Sequence, residues 1–151
     1  MATPIEKFLR FGCLPLLILP IALYLLHGAY IVGVSYLNEL RWKQKGIEDY
    51  TITASFVALP TLYGHVRVRK GESVGVRNEW GDSKHLTPLE KYQGLTVDGL
   101  FDTVRHYAFL PMSWENVAYD SEFGYPKDAR FNIFALDAPT ALIVDDFKPK
   151  Q

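Results

Sequence analysis

His27 is the one histidine inside a stretch, Phe11 to Asn38, that holds no Lys, Arg, Asp or Glu. A neutral imidazole in such surroundings can ligate a haem iron or a chlorophyll magnesium. It can equally bond to a neighbouring helix, because an ionisable group at membrane depth is costly enough that it faces protein rather than lipid. The second reading is preferred, with haem or (bacterio)chlorophyll at His27 as the minor alternative. Both imply a partner helix.

The other reactive residue types form no recognisable constellation. His65, His85 and His106 fall in a hairpin, a connection and a helix, never at the i, i+4 spacing of a helical metal pair. Ser83, Ser113 and Ser121 lack a nucleophile-elbow context, and no G-x-S-x-G, H-E-x-x-H or phosphate loop occurs. Asp145 and Asp146 are adjacent in a strand pattern and would point to opposite faces, so they are not a carboxylate dyad. Asp120, Glu122 and Asp128 offer oxygens to a hard cation, but their spacing fits no known calcium loop and a structural turn is preferred. The expectation is a chain without catalytic residues, resident metal or cofactor.

The element that contains His27 sets the address. A helix rising about 1.5 Å per residue crosses a hydrocarbon core of about 30 Å in about 20 residues, and the stretch from Phe11 to Asn38 is longer than that. A cleavable signal would have a shorter apolar region ending at small residues, whereas this one runs without a polar break into Tyr36 and Leu37. Cys13 precedes the apolar core, with Arg10 upstream, which disfavours lipid attachment. The regular span is placed at Leu16 to Tyr36, after Pro15 and including Pro20, with Tyr36 and Trp42 as an interfacial belt. Lys7 and Arg10 on one side and Arg41, Lys43 and Lys45 on the other leave the charge count slightly against a cytoplasmic N-terminus. Small residues Gly28, Ala29 and Gly33 suit close approach of a partner helix, and Trp42 joins them as an expected interface residue. The chain divides into a tail, 1–10, an anchor, 11–40, and an extramembrane domain, 41–151.

The domain is near ordinary single-domain size, and 16 basic against 17 acidic residues give no basic field for nucleic acid. Gly46 is a helix stop. "YTITASFVAL" alternates as a half-buried strand. "HVRVRKGESVGVRNEW" reads as a hairpin about a "KGES" turn, with Val66, Val68, Val74 and Val76 on one face and Arg67, Arg69 and Arg77 on the other. "GDSKHLTPLEKYQG" is a polar connection to an amphipathic helix with Thr96 as N-cap, Asp98 in its first turn, and Leu100, Phe101, Val104, Tyr107 and Ala108 on one face. Strands follow at "WENVAYD", "ARFNIFAL" and "ALIVDDF". Between the first two, Gly124 can take a positive φ and Pro126 fixes its own, so that Tyr125 is held in a tight structural turn. The fold class is α+β: an N-terminal transmembrane helix, then an antiparallel sheet with packed helices, arranged as two α-β-β-β units.

"GIEDYTIT", "LTVDGLFDTV", "VAYDSEFGYPKDARFNI" and "IVDDFKP" together resemble a family of small exported bacterial domains of unknown function. The resemblance covers nearly all of residues 40–148. It implies export, often as lipoproteins, and hence a domain outside the cytoplasmic membrane with the N-terminus inside. It brings no catalytic residues. This chain differs in having a spanning helix in place of a lipobox, and in lacking the cysteine pair often found in the first strands. The expected function is a non-catalytic accessory subunit that docks on other transmembrane subunits of a larger complex. By analogy with other single-span extras, this would be a photosynthetic or respiratory assembly. The alternative is an anchored domain that binds a ligand or envelope component.

Overall fold

The computed structural model describes residues 4–57, 62–77, 94–109, 113–133 and 140–150, with side chains for 18–57, 63–75, 94–109, 116–131 and 140–150. Val76 and Arg77 are thus placed by backbone only. Ser83, His85 and the polar connection before Gly94 lie outside what is described, as does the side chain of Cys13.

Helix α1 (Pro4–Gln44) is one continuous element that includes the whole apolar stretch. Gly46, at φ +62, ends it: its N–H and that of Lys45 bond back to the carbonyls of Lys43 and Trp42. Strands β1 (Tyr50–Val57), β2 (Leu62–Arg69) and β3 (Glu72–Arg77) come next. They are followed by α2 (Val97–Tyr107) and by β4 (Ser113–Tyr119), β5 (Pro126–Ile133) and β6 (Thr140–Pro149). The chain is therefore the expected α+β fold of two helix-plus-three-strand halves.

All six strands form one antiparallel sheet in the order β3-β2-β1-β6-β5-β4. Each half is a simple meander, and the first strand of one half closes against the last strand of the other. Lys70 and Gly71, both at positive φ, make the two-residue turn between β2 and β3. One sheet face is the core: Tyr50, Ile52, Ala54, Val66, Val68, Ala129, Phe131, Leu142 and Val144 are buried on it. Helix α2 covers this face with Leu100, Phe101 and Val104, and α1 adds Ile31 and Trp42 to the same cluster.

Two irregularities break the alternation. Between β2 and β3 the register shifts after Arg67, so Arg67 pairs with Gly75 and Val68 with Ser73. Val74 is the extra residue and is 48% exposed instead of joining Val66 and Val68. Between β1 and β6, Thr53 pairs with Asp146 and Ala54 with Val144. Asp145 is the extra residue there, and the bulge lets Leu142 and Val144 and then Phe147 all face the core although their numbering changes parity.

Candidate functional site: the junction of helix and domain

The C-terminal half of α1 is packed along the domain, antiparallel to α2. At its upper end the contact needs glycine. A Cβ at Gly28 would lie 2.7 Å from the Ala108 carbonyl oxygen and 2.7 Å from the Phe109 ring. Further along, Ser35 is fully buried and its hydroxyl has no hydrogen-bond partner among the described residues.

One turn later comes an ion cluster. Glu39 bonds to Lys43 at 2.6 Å and to Arg105 of α2. Arg105 also reaches Asp102 at 2.7 Å and lies 4.8 Å from the Tyr36 ring centroid. Burial works against the charge on Arg105, but its hydrogen bonds to Asp102 and Glu39 outweigh this and hold its pKa above the ordinary value. Sequence reasoning missed this cluster. The signal was Glu39 itself, a lone acid at the end of an apolar run, which folding must pair or leave at a desolvation cost.

At the lower end, the turn between β4 and β5 docks on α1. Asp120 Oδ1 accepts the N–H groups of Glu122 and Phe123, and Gly124 stands at φ +84 with the place of its Cβ 2.9 Å from the Asn38 carbonyl. Arg41 donates to the Ser121 carbonyl at 2.9 Å. Tyr125 and Pro126 are buried behind it, as a structural turn requires. Trp42 meets the rings of Tyr50 and Phe147 at 5.5 and 5.6 Å, and Phe147 continues to Tyr125 at 4.9 Å. Burial pushes the Tyr125 hydroxyl up to about 12, with Asp120 and Asp146 adding to it. The Tyr50 hydroxyl accepts the Val97 N–H at the start of α2, and burial raises its pKa further still.

The residues expected to meet a partner are thus split. Gly28 and Trp42 are covered by the chain's own domain, because they lie on the α1 face that packs inward. Ala29 and Gly33 lie on the opposite face and are exposed, with open space where a Gly33 Cβ would be. Tyr30, Leu37 and Leu40 continue that outward face, more than half exposed each, while Tyr36 flanks it against Arg105. His27 is half-buried, just before the helix meets the domain.

Among the described residues the other reactive groups do not assemble into a catalytic array. Thr53 Oγ1 and His65 Nδ1 are 2.6 Å apart on the sheet face away from the helices. Asp146 sits beside Thr53 rather than behind the imidazole and is bonded to Lys148, so nothing here orients the histidine as a base. Among the described residues no group of three or more His, Cys, Asp and Glu could hold a metal ion. An open groove of about 650 Å³ runs beside α2, lined by residues that include Phe56, Thr96, Asp98, Asp102, His106 and Tyr107.

The molecule is a small α+β domain mounted on a helix long and apolar enough to cross a membrane. The chain belongs to the family of unknown function DUF6174, which it matches over residues 36–149. That match starts inside α1, so the packed end of the helix is part of the family's unit. No curated protein and no solved structure matches the chain.

Proposed function

We propose that the chain is a single-span, non-catalytic accessory subunit of a larger membrane complex, with its domain on the extracytoplasmic side of the cytoplasmic membrane. The observation that carries this reading is the outward face of α1. Beyond Gly28 one side of the helix is sealed by the domain, with its charged groups, and that part of the helix stands outside the hydrocarbon. Its other side nevertheless stays apolar through Tyr30, Leu37 and Leu40. An upright helix that has left the lipid has no reason to keep such a face unless protein covers it, and Ala29 and Gly33 let a second helix come close. Sidedness rests on the family resemblance. His27 is read as a packing residue near the junction rather than a haem or chlorophyll ligand.

The test is purification from native membranes in mild detergent. Stoichiometric co-migration with a larger assembly supports the accessory role, and Leu37→Glu should release the chain from that assembly while leaving it folded. A monodisperse monomer in the mildest detergents would contradict it. The groove beside α2 favours a second reading, an anchored domain that binds a ligand; its acidic lining suits a cationic group, detectable as a thermal shift of the monomer.

A further inference from the structure

We infer that the domain does not stand clear of the bilayer but rests on it, with the end of the sheet nearest Gly28 seated on the lipid surface. The inference takes the anchor reading above as its base and adds where the domain lies.

Three observations carry it. The first is length. If the domain occupies one side of α1 from Gly28 on, the hydrocarbon must be crossed by the part before it. Phe11 to His27 supplies about 25 Å of helix at about 1.5 Å per residue, near the lower limit for a span. No slack remains between the end of the span and the domain. Ala108 and Phe109, which touch Gly28, must therefore lie at the membrane boundary.

The second is polarity. The ends of β1 and β5 and the starts of β2, β4 and β6 gather at this same end, where Val57 pairs with Ala141 and Ser113 with Ile133. Phe109 is 48% exposed there. The described residues at these ends, Val57, Leu62, Phe109, Ser113, Ile133 and Thr140, carry no charge. At the opposite end of the sheet the turns carry Lys45, Glu48, Asp49, Lys70, Asp120 and Glu122. A domain surrounded by water has no cause to segregate charge in this way, whereas one seated on lipid does.

The third is the set of flanking charges. Arg130, bonded to Asp128, pairs with Ala141 one step below this end, and His106 is exposed near the end of α2. Both stand about where headgroup phosphates would be. Arg77 pairs with His65, three residues below the start of β2, on the edge strand β3.

The experiment uses the full chain with Cys13→Ser, reconstituted in vesicles of phosphatidylcholine and phosphatidylglycerol. Spin labels are placed singly at Leu25→Cys, Phe109→Cys, Tyr63→Cys and Lys70→Cys, and collision with oxygen, which prefers lipid, is compared with collision with a water-soluble nickel chelate. Position 25 should be oxygen-dominated, and position 70 nickel-dominated. Positions 109 and 63 should fall between, with oxygen-to-nickel ratios severalfold above that at 70. If 25 is in lipid while 109 and 63 match 70, the anchor stands and the seating is overturned. If 25 itself is nickel-dominated, the anchor reading fails and takes this inference with it. Label 63, away from the Gly28 contact, separates seating from any local damage at Phe109.

Discussion

Tyr50 closes two structures at once: its ring lies under Trp42 and Phe147, and its hydroxyl accepts the first amide of α2. Tyr50→Phe keeps the ring but leaves the buried Val97 N–H without its acceptor, a loss of about 1–3 kcal/mol. Chemical denaturation of the detergent-solubilised chain measures it. Burial raises the Tyr50 pKa above the ordinary tyrosine value of 10.0, so the folded state holds the proton more tightly than the unfolded one. Its contribution is complete below about pH 10 and is lost as pH rises beyond it. Tyr125, at about 12, acts in the same direction. Stability should fall above about pH 10, and less steeply in Tyr50→Phe; a fall of equal slope in both would show that Tyr50 is not held protonated. Single residues were unevenly legible. The Thr96 cap and the Gly124 and Pro126 turn could be read because each depends on local backbone geometry. Glu39 and Arg105 could not be joined, because their contact exists only once two helices lie side by side.

At the scale of elements, α2 is the piece whose reading from sequence matches the structure most fully. Its apolar spacing places Leu100, Phe101 and Val104 in the core, and all three are fully buried. Phe101→Ala should cost about 3–5 kcal/mol, most of a small domain's stability, read as loss of the cooperative transition at moderate denaturant. Replacing the exposed Arg67 and Arg69 by Ser should move the midpoint little, since such charges contribute about 0–1 kcal/mol each. Strand existence was legible from alternation, but Val74 was assigned to the wrong face. A bulge adds one residue without changing residue types, so the period-two rule carries on past it unaware. The sheet order was not legible either, because pairing β1 with β6 is decided by closure of the whole core rather than by any local signal.

For the whole molecule, the sequence reads α1 as an anchor followed by a separate domain, and the structure shows the last part of that helix built into the domain. Apolar residues that face lipid and apolar residues that face a core look alike in sequence, which is why Trp42 and Gly28 read as partner-facing. The consequence is mechanical: the domain is fixed to α1 by the Gly28 contact, the Glu39–Arg105–Asp102 cluster and the Trp42 ring cluster, not tethered by the residues after Gly46. Gly28→Val should loosen this junction, since the added atoms would meet the Ala108 backbone, and should raise amide exchange at the upper end of α2 while leaving the sheet protected. The central claim is this fixed mounting. It is tested most directly by the distance distribution between spin labels at the exposed positions Ile21→Cys and Lys127→Cys, in a Cys13→Ser chain in lipid bilayers. One narrow distribution that broadens with Gly28→Val is the expected result, and a broad distribution in the otherwise unaltered chain would contradict the account.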